Sequence, residues 1–288
     1  MSKTKVIDAI LFTDELDMLE IRMNELDSVV DYFVIVEALE AHGATKPRSA
    51  CYAHNWDAPG LKKFRDRVIY EILPELKPAY TDGQSGWARE NFHRNCLMSP
   101  VLQVAGPDDI VIVSDADEIP RAGAVRRYLS DPAPGIVLLR LDHYFYNVNC
   151  YGGIWMRNSI GALKDYQSMG GFQAPRGHLG DVIPRQVMAL GNAGWHFSSF
   201  FSLPRLREKL ATFAHSFEMG HLAGMSNEDL VAAIRARKNI FTGADLAKRP
   251  TRNPTLPAYF LEHLDRFTDL TEEGQKSGRF NDSCLSWA

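Results

Sequence analysis

Hydrophobic and polar residues follow a repeated pattern in the first half of the chain, in which short apolar runs alternate with amphipathic segments. The apolar runs predict four buried strands, at residues 6–12, 31–37, 68–72 and 110–113. Leucine and methionine recur at helical spacing after Thr13, and a longer helix is expected over 87–104. This alternation predicts an α/β fold with a mostly parallel, Rossmann-like sheet flanked by helices.

The pattern weakens after residue 135. A strand is expected over 136–145, and irregular strands and loops are expected over 151–194, which is rich in glycine and aromatic residues. Helical spacing returns from Leu203 and again over 228–237. We expect a single domain, residues 1–288, that divides into a first half (1–135), a second half (136–245) and a peripheral C-terminal tail (246–288).

Composition fits an ordinary globular protein and weakens one class of partner. The 288 residues are 45% hydrophobic and 24% charged, which is enough for one large α/β domain. The formal net charge of −4 at pH 7 offers no broad basic field to a polyanion. We therefore expect no nucleic-acid partner.

The cysteines and the N-terminal segment bear on the cellular compartment. Cys51, Cys96, Cys150 and Cys284 are scattered without a CxxC pair, which favours reduced thiols over disulfides or a zinc site. The first residues hold only a short apolar run, and no segment approaches the ~18 apolar residues of a membrane helix. We expect no signal peptide, no integral membrane segment and a cytoplasmic location.

Clustered acids follow the fourth predicted strand. The run Ser-Asp-Ala-Asp-Glu-Ile-Pro begins directly after residue 113, and open parallel sheets bind ligands at the carboxyl ends of their strands. Residues i and i+2 of an extended segment point the same way, so Asp115 and Asp117 can converge on one hard cation that also bridges phosphate oxygens. The competing interpretation is a solvated turn that caps the next helix. A phosphatase of the haloacid type is disfavoured because no Thr or Ser follows Asp117 within two residues.

The run Asp-Ala-Asp-Glu-Ile-Pro resembles the signature of glycosyltransferase family 17, the β-1,4-mannosyl-glycoprotein β-1,4-N-acetylglucosaminyltransferases. Further blocks resemble the family in order: Asp8-Ala-Ile10, Glu15-x-Asp17-x-Leu19-x-x-Arg22-x-x-Glu25-Leu26, Val29-Val-Asp-x-Phe-Val34 with Glu37, Gly43 with Pro47-Arg48, Gly86-Trp87 with Arg94, Gly194-Trp195-His196-x-Ser198, and Lys209-Leu210. The resemblance spans residues 6–240 and is poor over 140–190. No counterpart of the membrane anchor and stem of animal members is expected, and the acceptor is left open.

The resemblance implies a GT-A type glycosyltransferase fold and an inverting reaction, in which an acceptor hydroxyl displaces a nucleoside diphosphate in one in-line step. It implies Mn²⁺ or Mg²⁺ as cofactor, a UDP-sugar as donor and a glycan acceptor. UDP-N-acetylglucosamine is the first candidate, followed by UDP-galactose or UDP-glucose. Asp115 and catalytic Asp117 would bind the metal, with His196 as a third ligand. The alternative for His196 is a histidine satisfied inside an aromatic patch.

The remaining candidates divide between the base and the donor site. An inverting reaction needs a base, for which Glu218 is the first choice and Asp181 and Asp142 are runners-up, each with a surface carboxylate as the alternative. The resemblance makes 1–135 the nucleotide-sugar-binding half and 136–245 the acceptor-side half. The donor-binding candidates are Glu15, Arg22, Glu37, Arg48, Trp87, Arg94, Asp115 and His215. Helix-surface ion pairs for the arginines on helices and core packing for the tryptophan are the alternatives.

Two other functions stay open from the sequence. A sugar nucleotidyltransferase would use a similar sheet, but that class opens with a Gly-rich phosphate loop after its first strand, and Phe12-Thr-Asp-Glu15 contains no glycine. A non-catalytic carbohydrate-binding or scaffold protein would keep the fold without needing metal affinity. Metal and UDP binding distinguish these functions, since a ligand of the native state raises its apparent stability.

Overall fold

The computed structural model describes residues 3–81, 85–178 and 188–276. Its first four strands are β1 (Val6–Phe12), β2 (Tyr32–Ala38), β3 (Val68–Leu73) and β4 (Ile110–Asp115). They pair in parallel in the spatial order β3-β2-β1-β4. The strand and helix alternation predicted for the first half is therefore confirmed.

The second half extends the same sheet with a different strand arrangement. Its strands are β5 (Glu118–Pro120), β6 (Val137–Phe145), β7 (Cys150–Trp155), β8 (Ser159–Ala162), β9 (Ala189–Ser198) and β10 (Ala247–Lys248). Strand β8 pairs antiparallel to both β4 and β6, and β6 runs antiparallel to β7 and parallel to β9. The sheet is therefore mixed, and the prediction of a mostly parallel sheet is wrong for this half. The short connection between β6 and β7 permits only antiparallel pairing.

Helices cover the sheet on both faces. They are α1 (Leu16–Leu26), α2 (Cys51–Asn55), α3 (Trp87–Cys96), α4 (Met98–Leu102), α5 (Ala122–Ser130), α6 (Leu163–Ser168), α7 (Gln173–His178), α8 (Leu203–Thr212), α9 (Gly220–Ala223), α10 (Asn227–Arg235), α11 (Ala258–Glu262) and α12 (Glu272–Lys276). Short 3₁₀ segments lie at Lys62–Arg67 and Thr268–Leu270. The helix expected over 87–104 is divided at Leu97, because Pro100 has no N–H for the carbonyl four residues earlier and fits only a first helical turn.

The parallel half is buried on both faces. Along β1, Ile10 and Phe12 pack toward α1 and α5, whereas Ile7 and Ala9 pack toward α4 and α6. All four side chains have no exposed surface. A strand covered on both sides reads as a continuous apolar run, which is why the sequence predicts this half well.

The described part of the predicted tail, residues 246–276, packs onto the domain. Leu256, Phe260 and Phe267 are buried in a cluster with Ile21 of α1 and Trp195 of β9. Strand β10 also pairs with β7. These contacts give the segment a share in the hydrophobic core.

The cysteines depart from the sequence prediction. Cys51 is disulfide-bonded, whereas Cys96 and Cys150 are free thiols, and Cys284 lies outside the described residues. The prediction of reduced thiols is therefore wrong for Cys51, because residues far apart in sequence become neighbours only in the folded chain. Within the described ranges, no helix combines the length and apolarity needed to cross a membrane.

Candidate active site

The carboxyl ends of β1 and β4 open on a shared cavity of about 150 Å³. The strand register pairs Leu11 with Asp115, so the β1–α1 loop lies beside the β4–β5 turn. The charged or polar side chains that line the cavity include Asp14, Glu15, His42, Arg48, Glu90, Asp115, Asp117, Arg205, Glu208 and Lys209. The acidic motif therefore faces a space that also contains cations, at the strand edge where parallel sheets bind ligands.

Arg22 of α1 holds the backbone of the β4–β5 turn in place through its carbonyl oxygens. Its Nη1 donates to the carbonyl oxygens of Asp115 and Glu118, at 2.7 and 3.0 Å. Its Nε and Nη2 donate to the two carboxylate oxygens of Asp8, at 2.8 and 2.6 Å, and both side chains are fully buried. A planar guanidinium satisfied in this way holds the turn in one conformation.

Asp115 is held between two further arginines. Its Oδ1 accepts from Arg94 Nη2 at 2.7 Å and its Oδ2 accepts from Arg176 Nη2 at 2.8 Å. Arg176 also donates to both carboxylate oxygens of Glu118, at 3.0 Å each, and Trp155 Nε1 donates to Glu118 at 2.5 Å. Burial opposes ionisation of Asp115, but Arg176 and Arg94 outweigh it and hold its pKa well below the ordinary value. Arg22, Arg94 and Arg176 are called the arginine cluster below.

Asp117 has different neighbours although it lies only two residues away. Its Oδ2 lies 3.5 Å from His196 Nε2, and the His143 ring stacks on His196 with centroids 4.3 Å apart and planes at 12°. Burial raises the pKa of Asp117, but His196 and, more weakly, Lys209 outweigh burial and lower it. His143 and His196, the imidazole pair, each have one buried ring nitrogen without a hydrogen-bond partner in the described structure.

The cations of the cavity come from two segments. Arg48, between β2 and α2, and Arg205 of α8 both pair with Asp14. Lys209, one turn after Arg205, approaches the Phe201 ring at 5.0 Å, and its charge acts on Glu15 and Asp117. Three positive side chains therefore line the same space as the two motif acids, which suits a ligand with concentrated negative charge.

Glu15 differs from the other cavity carboxyls, which form salt bridges. Asp14 pairs with two arginines, Glu90 with Arg94 and Glu208 with Lys46. Glu15 accepts a backbone hydrogen bond from Asp14 at 3.1 Å. Burial, and then the charges of Asp14 and Asp117, raise the pKa of Glu15 to about 7. A carboxyl of this kind can exchange a proton near neutral pH.

The structure brings some of the sequence-predicted residues together. Glu15, Arg48, Asp115 and Asp117 line the cavity, and His196 contacts Asp117 from the side. Arg94 lies behind Asp115 and is 1% exposed. Arg94 therefore contacts the motif, but its side chain is too buried to reach a nucleotide in the cavity.

Other predicted residues lie away from the cavity surface. Trp87 and His215 pack edge to face at 4.3 Å, next to the cavity residue Ala214. Glu218 is exposed and does not line the cavity. Arg22 is fully buried, so its predicted contact with the donor is not available in this conformation.

Glu37 is also fully buried. Its carboxylate accepts from the backbone N–H groups of Cys51 and Tyr52, at 2.5 and 3.1 Å, and from the Tyr70 hydroxyl at 2.6 Å. The carboxylate at the end of β2 therefore anchors the start of α2, because that short helix covers it. A contact with a base or ribose hydroxyl is not available to Glu37 here.

The runners-up for the base are separated by the sheet. Asp142 and His143 are consecutive on β6, and consecutive strand residues face opposite sides. The His143 ring stacks on His196, so Asp142 points to the opposite face of the sheet. There Arg121 and Tyr151 interact with the Asp142 carboxyl group. Asp181 lies outside the described residues.

The side chains at the motif fit the metal that the resemblance implies only in part. Within the described residues, no group of three or more His, Cys, Asp or Glu side chains is arranged to hold an ion. Both carboxylate oxygens of Asp115 already accept from guanidinium groups. Asp117, with His196 beside it, therefore fits a cation that takes its other ligands from phosphate and water, as Mg²⁺ commonly does. It does not form a preformed three-residue cage.

Sequence reasoning missed several residues of this site. Arg176 lies in the segment whose pattern is weakest, and His143 lies on a strand that shows only its apolar periodicity. Glu118 belongs to the motif, but its role depends on Arg176 and Trp155, which are distant in sequence. In the sequence, Lys209 stands out only within the Lys209-Leu210 block that resembles the family. These residues share one feature, a charged or imidazole side chain at a buried strand or helix position. This feature is too common in sequences to identify a site before the fold is known.

Solved structures show limited likeness to this chain. HddC from Yersinia pseudotuberculosis is 11% identical, with a TM-score of 0.35 over 72% of this chain and 97% of that chain. The inositol-1-phosphate CTP transferase from T. maritima is 11% identical, with a TM-score of 0.36 over 76% of this chain and 95% of that chain. Scores this low carry no argument about fold or function.

Curated proteins show a likeness across the whole chain. The β-1,4-mannosyl-glycoprotein 4-β-N-acetylglucosaminyltransferase of Rattus norvegicus is 24% identical over 309 residues, which cover 93% of this chain and 54% of the relative. The protein of the same name from Homo sapiens is 24% identical over 316 residues, covering 96% and 56%. The chain thus spans about half the length of the curated relatives it matches.

The family model described as Glycosyltransferase family 17 matches residues 1–267. This range contains the whole cavity, the arginine cluster and the imidazole pair. It also contains every block on which the sequence resemblance rests, and that recognition is confirmed. The chain therefore belongs to glycosyltransferase family 17.

Proposed function

We propose that this chain is an inverting, metal-dependent glycosyltransferase with a GT-A type fold. It transfers a sugar, with N-acetylglucosamine as the first candidate, from a UDP-sugar to a hydroxyl of a glycan or similar acceptor. The family and the names of the relatives support the transferase class and the candidate sugar. The mechanism, the metal and the nucleotide are inferred from the site.

One observation carries the proposal: the motif acids and three cations line one cavity at the carboxyl ends of β1 and β4. A cavity with acids alone would suit a metal, and one with cations alone would suit an anion. The two together suit a metal–diphosphate ligand, whose charges need both kinds of partner. The donor diphosphate is therefore placed between Asp117 and the side chains Arg48, Arg205 and Lys209.

The cavity residues have separate tasks in this proposal. The acceptor oxygen forms a bond to the anomeric carbon while the bond from that carbon to the diphosphate oxygen breaks. Lys209 and Arg205 of α8 stabilise the negative charge that the departing diphosphate gains. When bound, the metal would add Lewis-acid stabilisation of the same charge. Asp117 would hold it, and the arginine cluster keeps Asp117 in position.

The acceptor proton needs a base, and Glu15 fits this task better than Glu218. Glu218 is exposed and lies outside the cavity lining. Glu15 lines the cavity, forms no salt bridge with a described residue and has a pKa raised to about 7 by burial and neighbouring acids. A base with a pKa near the working pH takes a proton efficiently and releases it again.

The proposal is tested by UDP release from a panel of UDP-sugars with Mn²⁺, for the parent protein and Asp117→Asn. The relatives' name specifies a β-1,4-mannosyl-glycoprotein, so a glycan with β-linked mannose is the first acceptor to add. We expect metal-dependent turnover of one donor, most strongly UDP-N-acetylglucosamine, and its loss in the variant.

Asp108→Asn is the matched control, since the Asp108 side chain is 82% exposed and, among the residues that the structure describes, pairs with the surface residue Lys164 alone. It should retain full turnover. If no donor and acceptor combination gives UDP release, and UDP with Mn²⁺ does not raise the melting temperature, the protein is instead a non-catalytic binding protein. Cytoplasmic location remains a prediction, and the disulfide at Cys51 removes one of the grounds for it.

A further inference from the structure

A second pair of histidines, distinct from the imidazole pair, lies at the cavity. His42, between β2 and α2, lines the cavity, and His93 of α3 lies behind it with no exposed surface. His42 Nε2 and His93 Nδ1 are 3.1 Å apart, and His93 Nε2 lies 2.9 Å from the carbonyl oxygen of Val36. None of the proposed catalytic steps uses either residue.

The hydrogen bonds determine which ring nitrogens carry protons. A carbonyl oxygen can only accept, so His93 Nε2 must be the N–H that donates to Val36. Burial is the main cause that lowers the pKa of both histidines to about 3, with Arg48 adding to it at His42 and His42 adding to it at His93. Each ring is therefore neutral near pH 7 and has a single N–H. His93 Nδ1 is therefore an acceptor, and His42 Nε2 must donate to it.

The remaining ring nitrogen of His42 is left without a proton. Within the described ranges, no side chain or backbone group donates to His42 Nδ1, and this atom is not among the buried polar atoms that lack a partner. It is therefore accessible from the cavity. Arg48, Arg89 and Arg94 lie near enough to act on the ring, and their charges oppose a second proton on it.

We propose that His42 is a specificity-determining residue of the donor site, presenting Nδ1 as a neutral hydrogen-bond acceptor to an N–H or O–H group of the bound nucleoside. His93 is a positioning residue that fixes the tautomer through Val36. This inference rests on the proposed function, because it requires a nucleoside diphosphate in the cavity. The donor group is the imide N–H of the base or a ribose hydroxyl.

The arrangement explains why a histidine rather than a carboxylate lies at this position. A carboxylate would also accept, but it would add negative charge next to a diphosphate and would pair with the surrounding arginines. A neutral imidazole accepts a hydrogen bond without carrying a net charge. The hydrogen bonds from His93 to Val36 and from His42 to His93 keep the His42 ring in one tautomer. A nucleoside that lacks the matching donor group would cover Nδ1 and leave it unpaired.

Calorimetric titration in the presence of Mn²⁺ tests the proposal with UDP, 3-methyl-UDP, 2′-deoxy-UDP and 3′-deoxy-UDP. We expect one analogue to bind the parent protein about tenfold more weakly than UDP, which identifies the donor group. In His42→Ala the same analogue and UDP should bind within about threefold of each other. His54→Ala, at an exposed histidine, is the matched control and should discriminate as the parent does.

Two results would overturn the proposal while leaving the proposed function intact: equal binding of all four nucleotides by the parent, or unchanged discrimination in His42→Ala. Failure of the parent to bind UDP at all would overturn both. Two-bond ¹⁵N–¹H correlation spectra give an independent readout, since they report the tautomer of each ring directly. We expect neutral rings protonated at Nε2 in both residues, and a His42 ring protonated at Nδ1 would contradict the inference.

Discussion

The two aspartates of the motif lie two residues apart in different environments. Asp115 has both carboxylate oxygens bound by the arginine cluster, whereas Asp117 faces the cavity beside the imidazole pair. The first is satisfied by the protein itself, and the second has capacity for a ligand. The difference indicates that one acid of a D-x-D motif can serve to fix the turn while the other does the chemistry.

Removing Arg22, which holds the turn that carries Asp115, should cause the largest loss of stability at the site. Arg22→Met leaves the Asp8 carboxylate buried without its partner and frees two carbonyl oxygens of the turn. We expect the free energy of unfolding to fall by about 3 to 5 kcal/mol, as for other broken buried ion pairs. Urea denaturation of parent and variant measures it.

The double variant Asp8→Leu/Arg22→Met provides the control, because it buries no unpaired charge. It should recover a large part of the lost stability, although the turn would still lack its support. If the single variant is within about 1 kcal/mol of the parent, Arg22 is not the anchor that its contacts indicate.

Asp117→Asn should have the opposite profile, with a large loss of activity and little loss of stability. Removing its charge takes away the motif carboxylate that no described arginine binds, and we expect turnover to fall by about 10²- to 10³-fold. The unfolding free energy should change by less than about 1 kcal/mol, since the ion-pair contact of the Asp117 carboxylate with His196 is long, at 3.5 Å. UDP-release kinetics and denaturation on the same sample give both numbers. A variant that loses both in parallel would contradict the comparison.

The fold of the first half could be predicted from the sequence for a clear physical reason. Strands such as β1 and β4 are buried on both faces, so their apolar runs are continuous and bounded by polar turns. The second half could not be predicted equally well, because β7 contains Gly152 and Gly153 and alternates between intermediate and exposed positions. A pattern of this kind resembles a loop.

The motif acids could be predicted, but their division of tasks could not. Local sequence shows two carboxylates at the end of a strand, and it cannot show that Arg176, 61 residues further along the chain, binds one of them. The same limit applies to Glu37, whose burial depends on α2 packing over the strand end. Side chains that are set by long-range packing need the fold before their role can be read.

Asp115→Asn tests the satisfied acid directly. The neutral amide loses two charge-assisted hydrogen bonds and places an NH₂ group against a guanidinium, so we expect a loss of about 1 to 3 kcal/mol in unfolding free energy. The pKa of Asp115 is depressed in the folded protein. Its stabilisation is therefore present above the ordinary carboxyl pKa and is lost as the pH falls below it.

Denaturation at pH 7 and at pH 3 measures this pH dependence. The stability difference between parent and Asp115→Asn should be largest at pH 7 and smaller at pH 3. A difference that stays constant between the two would mean that lost packing, rather than the charge of Asp115, accounts for the effect.

Glu15→Gln should change stability in the opposite direction, by making the folded protein more stable at high pH. Burial raises the pKa of Glu15 from its ordinary value of 4.5 to about 7 in the folded protein. Between these two pH values the folded state therefore keeps a proton that the unfolded state has lost. Stability due to Glu15 therefore falls as the pH rises through this window, and glutamine removes that loss. We expect the unfolding free energy of the variant to match that of the parent near pH 4.5 and to exceed it by roughly 1 to 2 kcal/mol at pH 8.

The turnover of Glu15→Gln should nevertheless be lost if Glu15 is the base, whereas Glu218→Gln should remain active. Urea denaturation at the two pH values, with UDP release at pH 8, measures both effects. An active Glu15→Gln would show that a carboxyl other than Glu15 is the base.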